Sequence, residues 1–170
     1  MNIILTGMPA SGKSTVGVVL AKMLGLDFID TDIEIQSSRG MRLEQIIAEH
    51  GMEGFLRIEE DVCGAIDVDN TVIATGGSVI YSEAAMRNLR KNGTVVYLKT
   101  DLSELEKRIG DMRQRGVALR SGQTLGDLYR ERVPLYEHWA DLTVEGESIE
   151  GAAERIRAEI DHRTGKRYRR

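Results

Sequence analysis

Gly7-Met8-Pro9-Ala10-Ser11-Gly12-Lys13-Ser14 lies between an apolar run, Asn2 to Thr6, and a segment in which Val16, Val19, Leu20 and Met23 recur at helical spacing. The stretch fits G-x-x-x-x-G-K-[ST], and strand, glycine-rich turn, helix is the setting in which that pattern works. Glycines permit the backbone angles that turn successive N–H groups inward. The helix N-terminus adds partial positive charge, the lysine reaches the β and γ phosphates, and the serine hydroxyl can hold Mg²⁺. Gly7, Ala10, Ser11, Gly12, Lys13, Ser14 and Thr15 are therefore the candidate nucleotide-binding residues, with ATP and Mg²⁺ the expected cofactors.

Working outward, the same alternation repeats along the chain. Asp27 to Asp30 reads as a second strand, and Leu43 to His50 and Glu53 to Ile66 read as helices around Gly51. Val72 to Ala74 is a strand that stops at Gly76-Gly77. A helix from Ser82 to Lys91, with Ser82 as N-cap, leads to a strand over Thr94 to Leu98. Asp101 can cap a helix reaching about Gln114, Leu125 to Tyr136 is helical up to and past Pro134, and Leu142 to Val144 and Ile149 to Ile160 supply a last strand and helix.

Five short apolar strands alternating with helices predict an α/β fold of three layers, a five-stranded parallel sheet flanked by helices, with a lid segment. Binding sites in such a sheet lie beyond the carboxyl ends of the strands. The 170 residues, 41% of them hydrophobic, suit one domain over 1–161 followed by a basic tail at 162–170 that reads as solvated and disordered.

A net charge of -4 supplies no general field for nucleic acid or an anionic membrane, so any anion site must be local. The apolar runs fall far short of the ~20 residues of a membrane helix. The single cysteine, Cys63, cannot form an internal disulfide and reads as a small buried hydrophobe. A cytoplasmic monomer that binds neither nucleic acid nor membrane is expected.

A phosphate-binding loop alone serves GTPases, ATPases and kinases alike, so the acceptor side must decide. Asp30-Thr31-Asp32 ends the second strand at the same sheet edge. One carboxylate there can order a water on Mg²⁺ while the other accepts a hydrogen bond from an attacking hydroxyl; the competing use is helix capping. Thr75-Gly76-Gly77-Ser78 offers backbone N–H groups that can approach a ligand. Arg108, Arg113, Arg115 and Arg120 surround Gly116 in a segment suited to a lid, over about 113–124, that closes on phosphates. Arg132 can reach an anionic substrate from the helix that follows.

These residues together resemble the shikimate kinase family, within the nucleoside-monophosphate-kinase-like P-loop proteins. The resemblance rests on Gly7 to Gly17, Asp30-Thr31-Asp32, Phe55 through Glu59-Glu60, Thr75-Gly76-Gly77 and Glu131-Arg132-Val133-Pro134-Leu135-Tyr136. It implies transfer of the ATP γ-phosphate to a hydroxyl of a small carboxylate metabolite, shikimate by family default. It implies an acceptor region at about 31–62. Asp32 would face the acceptor hydroxyl, Asp30 and Ser14 would support Mg²⁺, Gly76 and Gly77 would contact the acceptor, and Arg132 would grip a carboxylate. Arg108 would lie on the adenine and Arg115 would close from the lid, joining Lys13 and Asp32 as catalytic groups.

Three positions depart from the family pattern. Leu56 stands where the family has an arginine on the substrate carboxylate, Ser78 replaces a third glycine, and Arg115-Gly116 replaces Arg-Pro. Arg57 remains the substitute candidate for acceptor binding, although one position is about 100° around a helix. Some shikimate-kinase-like proteins act as homoserine kinases, and the chain resembles that branch as well. A nucleotide-binding switch without acceptor chemistry is the more distant alternative.

Overall fold

The structure, a computed structural model, describes residues 1–109, 117, 122–145 and 148–165. Arg115, Arg113, Arg120, most of the expected lid and the last five residues of the tail lie outside the described residues.

Five strands carry the fold: β1 (Asn2–Thr6), β2 (Asp27–Asp30), β3 (Thr71–Ala74), β4 (Gly93–Lys99) and β5 (Leu142–Glu145). They form one sheet in the order β2-β3-β1-β4-β5, every neighbouring pair parallel. β1 is central, with Ile3 paired to both Val72 and Thr94. All five of its residues are buried, as a parallel strand covered on both faces requires.

The helices are α1 (Lys13–Leu24), α2 (Thr31–Arg39), α3 (Leu43–Gly64), α4 (Glu83–Arg90), α5 (Leu102–Ile109), α6 (Leu125–Trp139) and α7 (Ile149–Thr164). Side-chain alternation divides the core between the two faces of the sheet. Ile4, Ile73, Val95 and Tyr97 pack with Met86 and Leu89 of α4, Leu105 of α5, and Leu128 and Tyr136 of α6. Ile3, Leu5, Val72, Val96 and Leu98 pack instead with Val16 and Leu20 of α1 and Ala153 and Ile156 of α7.

A third, smaller core lies away from the sheet, where Ile35 of α2 meets Leu43, Ile46, Phe55 and Ile58 of α3. It turns the segment between β2 and β3 into a folded unit at the sheet edge. Gly51 breaks α3 with φ 66 and ψ -179, so two helices meet there at the expected glycine. Ser82 caps α4 by accepting from the Ala85 N–H, also as expected. The short 3-10 turn Val79–Tyr81 was not foreseen, since three residues are too few to show a period.

Candidate active site

The loop after β1 sits at the carboxyl edge, where the chain leaves the central strand toward α1. Gly7 has φ 150, and a Cβ there would lie 2.8 Å from the Leu98 carbonyl oxygen and 2.9 Å from Ser11 Oγ. No larger residue fits without moving that backbone. Ala10 adopts φ 64, a left-handed conformation that costs energy outside glycine and marks a loop held by its surroundings. Ser11 Oγ is buried without a hydrogen-bond partner among the described residues, a donor suited to an incoming phosphate oxygen.

Lys13 opens α1 and arches back over the loop, donating from Nζ to the carbonyls of Gly7 and Met8, each at 2.9 Å. Burial lowers its ammonium to about 8, against the pull of Asp32. Partial loss of solvation leaves the cation receptive to an anion that can replace those carbonyls.

Two clefts flank this loop and share Ala10, Gly12 and Thr15 in their walls. The smaller, about 360 Å³, is lined by Lys13, Ser14, Asp32, Glu59, Gly76 and Arg132 among others. The larger, about 1030 Å³, runs past Leu98, Thr100, Arg108 and Ile149. Arg108 therefore borders the second cleft, held there by Glu104, whose Oε1 accepts from its Nε at 3.0 Å.

In the smaller cleft, α2 contributes Asp32 from its first turn. Burial raises this carboxyl to about 6, Lys13 opposes the shift and Asp30 adds to it. Asp30 has the local role that competed with metal binding: its Oδ1 accepts from the Asp32 N–H at 3.0 Å and caps α2. It is absent from the cleft wall, whereas Ser14 is part of it.

Gly76 lies under both carboxylates of the cleft. A Cβ on it would collide with Glu59 Oε1 and come within 2.8 Å of Asp32 Oδ1. Its N–H donates to Thr31 Oγ1 at 2.9 Å, so this glycine supplies space and not the donor expected of it. Gly77 packs against Arg132, whose Nη1 would sit 3.0 Å from a Cβ there. Its carbonyl accepts from Tyr136 Oη at 2.6 Å.

Arg132 is 1% exposed on α6, with Nε donating to Tyr81 Oη at 3.2 Å and Cζ 5.3 Å from the Tyr81 ring centre. A guanidinium so placed is suited to a carboxylate or phosphate. Arg57 does not join it, contrary to expectation. Phe55 and Glu59, four apart, take the cleft side of α3, which turns Arg57 out to solvent. Leu56 is half-buried against the small core of α2 and α3 and is likewise outside the cleft wall.

Glu59, which in the sequence carries the family resemblance without a site role, lines the cleft. It is 2% exposed, Oε2 accepts from Ser78 Oγ at 2.6 Å, and Oε1 has no hydrogen-bond partner among the described residues. Burial raises its carboxyl to about 7, with the Ser78 hydrogen bond opposing. The available signal was its four-residue spacing from Phe55 on an otherwise apolar helix face.

A five-stranded parallel sheet with the glycine-rich loop at its switch point, and a lysine, two carboxylates and an arginine around one cleft, define a P-loop nucleotide-binding protein with an acceptor site. The family model described as shikimate kinase matches residues 9–161. The shikimate kinase of Thiobacillus denitrificans is 36% identical over 166 residues, covering 94% of this chain and 90% of the relative. That of Thermobifida fusca is 37% identical over 161 residues, covering 92% and 93%. Among solved structures, shikimate kinase from Acinetobacter baumannii in complex with shikimate superposes with a TM-score of 0.87 at 32% identity, covering 97% of this chain and 95% of that one. The enzyme from Aquifex aeolicus gives 0.78 at 28%, covering 96% and 98%. The chain belongs to the shikimate kinase family.

Proposed function

We propose that the chain phosphorylates shikimate at its 3-hydroxyl, using ATP. The observation that carries this reading is the convergence of Lys13, Asp32 and Arg132, from three distant stretches of sequence, on the cleft beside the phosphate-binding loop. The relatives reported above are shikimate kinases, which favours shikimate over homoserine as the acceptor.

In this reading the loop from Gly7 to Thr15 holds the triphosphate and Lys13 leaves its loop carbonyls for the β and γ phosphate oxygens. Arg108 borders the cleft that takes the adenine, and Arg115, outside the described residues, keeps the catalytic role that the family resemblance gives it. Ser14 would hold Mg²⁺, with Asp30 the second expected group although it caps α2 outside the cleft wall; among the described lining residues the carboxylates are Asp32 and Glu59, which suits an ion carried mainly by phosphates and water. The ion would neutralise charge on the transferring phosphoryl group.

Arg132 grips the acceptor carboxylate and so fixes which hydroxyl faces the loop. Asp32 accepts the proton of that hydroxyl as its oxygen forms the new bond to the γ phosphorus and the bond to the ADP oxygen breaks. Burial serves this role, because a carboxyl raised to about 6 stays ionised at neutral pH while being a better base than a solvated aspartate.

A coupled assay of ADP formation tests the proposal, with shikimate, homoserine and related hydroxy acids as acceptors. Shikimate should give the highest kcat/KM, and turnover should depend on added Mg²⁺. Slow turnover independent of any acceptor, or a preference for homoserine, would overturn it.

A further inference from the structure

We infer that Tyr81 is a positioning residue for the acceptor, setting the roll of the Arg132 guanidinium through its phenol oxygen; the inference rests on the reading of Arg132 as the carboxylate grip.

Tyr81 ends the 3-10 turn that follows Gly76-Gly77-Ser78 without a break, so its backbone is anchored to the glycine segment of the cleft. Its hydroxyl has two named partners. It accepts from Arg132 Nε at 3.2 Å and donates to Glu131 Oε1 at 2.7 Å. A phenol with its lone pair and its proton both engaged has little freedom to rotate. Glu131 is itself braced, because Oε2 accepts from Gln123 Nε2 at 2.7 Å, one residue before the Thr124 cap of α6. One oxygen thus ties the glycine turn, the first half of α6 and the guanidinium together.

The chemistry of the guanidinium makes this more than a surface contact. Its donors form a rigid planar fork, and a carboxylate is gripped by two of them only when the two planes agree. The Nε–H donated to the Tyr81 oxygen fixes where that edge of the fork points, while the Tyr81 ring lies beside it, 5.3 Å from Cζ. The arm also acts without the usual arginine on α3, where this chain has Leu56 in the small core. A single arm relies on its own orientation for what two arms secure jointly.

The sequence supports the coupling between the two partners. Glu131 and Arg132 are adjacent on α6 and point about 100° apart, so one side chain from another element can touch both. Tyr81 occupies that position while remaining 37% exposed, outside the hydrophobic core and outside the cleft wall, so it reaches the cleft through Arg132.

Two measurements on Tyr81→Phe test the inference, since phenylalanine keeps the ring and removes only the oxygen. In the acceptor-free enzyme, the Arg132 Nε–H resonance, assigned by its loss in Arg132→Lys, should shift and exchange faster with solvent. In steady state the KM for shikimate should rise roughly fivefold to tenfold, less than the more than tenfold loss of a direct hydrogen bond to a charged group, because Tyr81 acts through Arg132. kcat should stay within about twofold, and the KM for ATP and the melting temperature should not change. In an Arg132→Lys background, which lacks Nε, the same substitution should add nothing further. An unmoved Nε–H signal, an unchanged shikimate KM, or a fall in melting temperature with both KM values raised would overturn the role of Tyr81. The resonance is read without any acceptor, so it judges Tyr81 even if shikimate is not phosphorylated, a result that would sink the proposed function instead.

Discussion

Ser78 Oγ donates a 2.6 Å hydrogen bond to Glu59 Oε2, joining a position that departs from the family pattern to one that matches it. Ser78 stands where the family pattern has a third glycine, and Glu59 is one turn after Leu56, where that pattern has an arginine. With Leu56 in the small core and Arg57 turned to solvent, the buried Glu59 carboxylate needs other partners, and the serine hydroxyl is one.

Glu59 should make the acceptor-free protein less stable as pH rises. Its folded value, raised by burial to about 7, exceeds the unfolded value of 4.5, so the stabilisation is complete below 4.5 and is lost as pH rises through 7. Glu59→Gln, neutral throughout, should melt with wild type at pH 4.5 and above it at pH 8, by roughly 5 °C for a difference on the order of 2 kcal/mol. Calorimetry at the two pH values checks this; parallel melting curves would assign Glu59 no ionisation cost.

Lys13→Ala should abolish phosphoryl transfer while the fold persists. The side chain spans loop carbonyls and a cleft, not the hydrophobic core, so its removal leaves the sheet and both main cores untouched. Circular dichroism and the coupled assay together decide; turnover near wild type would refute the phosphate role.

Asp32→Asn should lower kcat by roughly 10²-fold or more with little effect on ATP affinity, because an amide cannot accept the hydroxyl proton. Burial raises Asp32 to about 6, so wild-type kcat/KM should climb as pH rises through 6 and then level off. The pH profile of the free-enzyme parameter is the measurement, and a flat profile from pH 5 to 8 would remove Asp32 as the base.

Leu56→Arg should not restore a second carboxylate arm. Leu56 packs with Ile35, Leu43 and Phe55 outside the cleft wall, so an arginine there strains the small core. A destabilisation of about 1–3 kcal/mol and a uniform fall in activity are expected. A selective rise in shikimate kcat/KM at unchanged melting temperature would show that the side chain reaches the acceptor after all.

Local sequence determined the parts of this protein whose physics is local. The apolar runs of β1 and β4, the cap at Ser82, the break at Gly51 and the loop from Gly7 to Ser14 each follow from neighbours a few residues apart, and the structure has them where the sequence places them. Even β2, only four residues long, was readable, because polar residues end its short run. Partners distant along the chain were not readable in this way. Only the folded structure commits the Gly76 N–H to Thr31, turns Arg57 to solvent and brings Glu59 to Ser78 and Tyr81 to Arg132, 19 and 51 residues away. Periodicity states which face of a helix is apolar, but the roll of that helix against the sheet, set by close packing of side chains from other elements, decides which polar group on its edge enters the cleft.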